Sequence, residues 1–79
     1  MLNKQQAISV LKKELPGMKP TKNFYIYKNW YVVEMIDEGQ DPNDIYVDSF
    51  YKINRTTKEV STYSPILDAD IDVYSARKI

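Results

Sequence analysis

Asp68, Asp70 and Asp72 stand as D-x-D-x-D, the opening of a calcium loop of the EF-hand type. Such a loop needs Gly at its sixth position for a sharp turn and Glu at its twelfth as a bidentate ligand. Val73 and Ile79 occupy those places. The three aspartates read instead as an acidic helix start, where carboxylates favour the positive end of the helix dipole. A second acidic group runs from Glu34 to Asp48 and includes Asp37, Asp41, Asn43 and Asp44. Oxygen ligands without a defined turn pattern select poorly among cations, so no metal site is assigned to it.

Hydrolytic chemistry has little to start from. The chain has no Cys and no His, which removes the thiolate nucleophile, the commonest metal ligand and the usual neutral-pH base. Ser9, Ser49, Ser61, Ser64 and Ser75 lack a partner base and a G-x-S-x-G setting. The carboxylates fall in loops or on exposed faces, where nothing separates their pKa values into an acid and a base. A chain of 79 residues also leaves little room beside its core for a pocket of the usual ~300 Å³ or more. No enzyme, catalytic residue or cofactor is expected.

Binding chemistry is better supplied. Tyr25, Tyr27, Trp30 and Tyr31 lie near Lys22 and Lys28, a mixture of stacking surfaces and cations that suits single-stranded nucleic acid. Against it stand only two Arg, no RNP-like motif and a net charge of zero, which attracts phosphate weakly. Ten aromatics in so short a chain exceed what one core can hold, and Tyr and Trp on a surface favour protein interfaces. Neutrality is itself an average. Residues 1–33 carry six lysines against Glu14, a balance of +5, and residues 34–50 carry six acids and no base. An acidic loop of this kind would dock on a basic partner surface.

The elements that must position these residues begin with a helix. Asn3 caps it, Gln6 completes a capping box, and Leu2 and Ala7 form a hydrophobic staple. Ala7, Ile8, Leu11 and Leu15 share one face, and Pro16-Gly17 ends the helix. After the linker MKPTK, strands are predicted at Phe24–Tyr27, Trp30–Ile36, Ile45–Ile53 and Val60–Ser64, with turns at Lys28-Asn29, 37–44 and 54–59. In the third strand Ile45, Val47, Tyr51 and Ile53 are the core side. Residues 65–79 read as a short helix, with acids early, Arg77 and Lys78 late, and Leu67, Ile71 and Tyr74 at helical spacing. The fold class is α+β: one domain, 1–79, in which the N-terminal helix packs on a three- to four-stranded antiparallel sheet.

The segments QQAISVLKKELPG, WYVVEMID and FYKINRTTKEVSTY resemble the pattern of PepSY-type domains over residues 5–64. That pattern has a helix ending in Pro-Gly, an aromatic hairpin and a strand-turn-strand with a Thr-containing turn. The family usually carries Gly in the last turn, where Lys58 stands here. The resemblance implies an association with propeptides and protease inhibition, usually outside the cytoplasm, and carries over no functional residue. The richness in Lys, Asn, Ile and Tyr also resembles small proteins of low-GC Gram-positive bacteria and their phages.

Taken as written, the chain reads as cytoplasmic, since no apolar run approaches a membrane span and charge interrupts the first apolar stretch. A lack of Cys suits an extracytoplasmic protein equally. The expected role is binding another protein through Trp30, Tyr31, Phe50, Asp37, Asp41 and Asp44, as a monomer or weak homodimer. The alternative is single-stranded nucleic acid on the Lys-rich helix and the Tyr/Trp hairpin. Trp30, Val32, Ile36 and Phe50 would lie open on the sheet face away from the helix unless residues 65–79 or a second copy covers them.

Overall fold

A computed structural model of the chain describes residues 1–41 and 49–79. Helix α1, Lys4–Glu14, begins as its sequence demands: the Asn3 side chain accepts from Gln6 N at 2.8 Å, and Gln6 Oε1 accepts from Asn3 N at 2.9 Å. Reciprocal capping satisfies two of the amides that a helix start leaves unpaired. Leu2 and Ala7 are both buried in the core, as the staple requires. Beyond Leu15, Gly17 takes φ 84, a left-handed conformation that costs glycine least, and its carbonyl accepts from Glu38 N at 3.0 Å.

The chain then enters β1, Met18–Tyr27, followed by β2, Trp30–Asp37, β3, Phe50–Asn54, β4, Val60–Thr62, and β5, Arg77–Lys78. All pairings are antiparallel, in the spatial order β4-β3-β2-β1-β5. The sheet therefore has five strands among the described residues. The linker MKPTK belongs to β1, whose ladder with β2 shifts register between Pro20 and Phe24, where four steps along β1 match two along β2. This bulge absorbs Thr21, Lys22 and Asn23 without ending the strand, a tolerance that composition does not announce. The predicted stretch Ile45–Asp48, with Val47, lies outside the described residues. The core side assigned to the rest of β3 holds, since Ile53 is fully buried and Tyr51 packs on the core.

Period-two alternation sorts β2 onto two faces. Tyr31, Val33 and Met35 join Leu2, Ala7, Leu11, Phe24 and Ile53 in one core beneath the helix. Phe24 and Tyr31 meet edge to face at 5.4 Å, and the Tyr31 hydroxyl donates to the Leu2 carbonyl at 3.0 Å. Trp30, Val32, Glu34 and Ile36 point the other way, and Val32, Glu34 and Ile36 are buried there as well.

Residues 65–76 are not the expected helix but a run of turns that leads from β4, at one edge of the sheet, to β5 at the other. The aspartates themselves explain the difference. Asp68 accepts from Ser64 N at 2.9 Å, and Asp72 accepts from Tyr74 N at 3.0 Å and from the Ser75 hydroxyl at 2.7 Å. Such local side-chain bonds offer the backbone an alternative to helical pairing, and Asp, Ile and Val have modest helix propensity. We refer to 65–76 as the strap.

Replacing Leu11, fully buried in the core, with Ala should cost about 2–5 kcal/mol through lost burial and the cavity left behind, read as a drop in the urea midpoint. A second expectation concerns Lys58, which is exposed and takes φ 68 in the turn between β3 and β4. Lys58→Gly relieves that left-handed strain and should raise stability by about 0.5–1 kcal/mol, against the loss that glycine brings elsewhere. A lower melting temperature for Lys58→Gly would refute this account of the turn.

Candidate functional site

The face of the sheet opposite α1 carries Trp30 and Phe50, two of the six binding residues that the sequence singles out. Cross-strand register places Tyr25, Val32 and Lys52 in one row, and Tyr27, Trp30 and Asn54 in the next. Lys52 stands at the β3 end of the first row. Its ammonium lies 5.0 Å from the centre of the Trp30 ring and pairs with the Asp68 carboxylate of the strap. A cation on an indole face, closed by a partly buried carboxylate, joins sheet to strap in three layers. The Lys52 hydrogen bond, followed by the one from Ser64 N, holds the Asp68 carboxyl below its usual value of 3.8. Tyr63 adds a second fastening, its hydroxyl donating to the Ile71 carbonyl at 2.8 Å. Burial pushes the Tyr63 hydroxyl above the ordinary phenol range, so it keeps its proton and remains a donor.

Between sheet and strap lies an open cleft of about 400 Å³ lined by Tyr25, Phe50, Tyr63, Pro65, Val73 and Tyr74. This volume exceeds what so short a chain was expected to leave outside its core. The cleft exists because the strap touches the sheet at points instead of packing along its length. Ile71 is buried, whereas Ile66 is 87%, Leu67 86% and Tyr74 95% exposed. Helical spacing would have turned Leu67, Ile71 and Tyr74 toward one side; the turns divide them.

Glu34 is the residue whose role the sequence conceals. Placed at the head of an acidic run, it is in fact a β2 residue with 2% exposure, and its Oε1 accepts from the Thr21 hydroxyl at 2.9 Å and from Asn23 Nδ2 at 3.0 Å. Both donors come from the β1 bulge. A carboxylate removed from water requires such partners, and in return it pins the irregular part of β1. Its position inside WYVVEMID, flanked by apolar residues with Asp37 only at the strand end, is the signal that it faces protein rather than solvent.

The other expected binding residues are dispersed. Phe50 lines the cleft, and Trp30 lies half-buried under Lys52 on the same face. Tyr31 does not belong to a binding surface: it is 3% exposed, packed on Phe24 and hydrogen-bonded to Leu2, because its parity along β2 points it at the helix. Asp37 is exposed at the far end of β2, roughly 23 Å from Trp30 at the rise of an extended strand, and Asp41 is exposed beyond it. Asp44 lies outside the described residues. Among the described residues, no three acidic side chains converge as a metal site requires. No helix among them is long and apolar enough to cross a membrane. Comparison with protein-family models, curated proteins and solved structures finds no match for this chain.

The pairing of Asp68 has a pH signature. A carboxyl whose folded pKa lies below its unfolded value adds stability that is complete above the unfolded value and is lost as pH falls through the folded one. Asp68→Asn should therefore lower the melting temperature at neutral pH and flatten its decline as pH drops below 3.8. Parallel acid-unfolding curves for wild type and Asp68→Asn would show that the clasp carries no such linkage.

Proposed function

We propose that this chain is a small non-enzymatic protein-binding domain, inhibitory or modulatory in effect, working in the cytoplasm as a monomer or weak homodimer. The observation that carries the reading is the aromatic cleft with Ile66, Leu67 and Tyr74 exposed on the strap that forms one side of it. Scattered apolar residues on a surface are ordinary, but large ones beside an apolar hollow mark a place where a partner's side chains can be desolvated. The role fits what the PepSY resemblance implies, an association with propeptides and protease inhibition. No step of bond-breaking chemistry is assigned to the cleft. Its lining holds phenols, a phenyl ring, a proline and a valine, with no nucleophile and base in reach of each other.

Single-stranded nucleic acid has less support. Of the four rings that would stack bases, Tyr31 is in the core and Trp30 has Lys52 over one face. Lys28, a cation of the same hairpin, lies 5.3 Å from the centre of the Tyr27 ring.

The test is affinity capture from the native host with wild-type chain, Leu67→Ala and Tyr74→Ala, followed by mass spectrometry. Because both side chains are almost fully exposed, the variants should melt as wild type does, while the captured partner is reduced about ten-fold or more, the loss of roughly 1.4 kcal/mol that a hot-spot residue supplies. Equal recovery by all three proteins would place the interface elsewhere.

A further inference from the structure

The chemistry of the cleft also narrows its partner, an argument that rests on the protein-binding reading above. We infer that the cleft receives a proline-rich segment in the extended polyproline II conformation, with a basic residue at one end. Three observations support this occupant.

The first is the spacing of the rings. Among the described residues the close ring pair is Phe24 with Tyr31, in the core. Tyr25, Phe50, Tyr63 and Tyr74 line the cleft without pairing with one another, so they bound slots instead of forming a stacked block. Aromatic grooves of this kind accept pyrrolidine rings, which are rigid, apolar and fixed in position by the three-residue turn of the polyproline helix. A segment already extended also loses little conformational freedom on docking, which matters for a shallow site on a small domain.

The second is the hydrogen-bonding inventory. Polyproline II has no internal hydrogen bonds, and its carbonyls seek donors. The Tyr25 and Tyr74 hydroxyls have no partner among the described residues, unlike that of Tyr63, which is committed to Ile71. Two phenol donors at an apolar groove match a ligand rich in carbonyls and poor in N–H groups.

The third is charge. Asp70 and Asp72 are exposed on the strap, and Asp72 lines a smaller hollow that shares Tyr63, Pro65, Val73 and Tyr74 with the cleft. Bonds from the Ser75 hydroxyl and then the Tyr74 and Ser75 amides hold the Asp72 carboxyl below its usual range, so it is anionic at neutral pH. Lys78 stands across from Tyr25 in the β1–β5 ladder, beside one of the cleft's rings. A single Arg or Lys at one end of the segment complements the acidic side, whereas a uniformly basic peptide would meet Lys78.

The experiment is an NMR titration of the isotope-labelled full chain with three synthetic peptides of roughly ten residues: one with P-x-x-P spacing and a terminal Arg, one with its prolines replaced by Ala, and one with the Arg replaced by Glu. The first should shift the amides of Tyr25, Phe50, Tyr63, Val73 and Tyr74, and the other two should bind about ten-fold more weakly. Tyr74→Ala should weaken the first peptide by a similar factor without changing the melting temperature. Asp72→Asn, which keeps the side-chain cap but removes its charge, should weaken the Arg peptide about three-fold and leave the Glu peptide unaffected or improved. Equal binding of the proline and alanine peptides overturns the inference, as do shifts confined to other surfaces or no shift at millimolar peptide. In any of these cases the capture comparison with Tyr74→Ala still decides separately whether the cleft binds a protein of another kind.

Discussion

Strand β2 lies third in a sheet of five and is apolar on both of its faces, so the chain has to bury it twice. A helix covers only one side of a sheet. Tyr31, Val33 and Met35 go under α1, and Val32, Glu34 and Ile36 are buried on the opposite face. The strap is tied to that second face with Ile71 buried and with Asp68 and Tyr63 as fastenings. It then continues into β5, whose two pairs with β1 close the other edge, and Ile79 N reaches the Phe24 carbonyl at 2.9 Å. Sheet, helix and strap thus depend on the composition of one eight-residue strand.

The two coverings differ in kind. Beneath α1 the contacts are apolar and continuous, reinforced by an N-terminus tied down through Leu2, whose amide bonds Arg55 O at 2.9 Å and whose carbonyl takes the Tyr31 hydroxyl. On the strap side, polar and charged groups supply the fastening: a Lys–Asp pair over an indole, a phenol on a carbonyl, and a buried Glu satisfied by a bulge. A partly buried ion pair contributes less net stability than apolar packing, since desolvation offsets much of the attraction. It does, however, fix position. One charged contact suffices to specify where the strap crosses the sheet, and the space left beside it becomes the cleft.

How far the fold was readable follows from this contrast. Alpha-helix α1 was legible to the residue, because capping box, staple and Pro-Gly stop are local signals that require no tertiary information. The hairpin from β1 to β2 was legible in kind, although β1 starts earlier than Phe24 because Glu34 makes a bulge at Thr21–Asn23 worthwhile, and that bond joins residues distant in sequence. The strap departs from the expected helix because a D-x-D-x-D run suits a helix start and local turn bonds equally, and the turn bonds of Asp68 and Asp72, with Lys52 held on Asp68, favour the turns. Phe50 and Trp30 share the sheet face away from α1, as strand parity implied. Tyr31 was misplaced because both faces of β2 are apolar and parity had no reference. Tyr63, Tyr25 and Tyr74 were missed as a group since a cleft made by turns has no period.

Function is better sought on the strap side for a physical reason that does not depend on any one partner. A surface that binds must keep apolar area exposed until the partner arrives, and a continuous core cannot supply it. The α1 side has used its apolar residues on its own interior. The strap holds its segment with a few directional bonds and so can leave Ile66, Leu67 and Tyr74 in water without losing its place. Packing the same residues inward, as a helix over the sheet would have done, would have bought stability by closing the cleft. The aspartates that divert 65–76 from a helix are therefore the residues that leave apolar side chains exposed on this face.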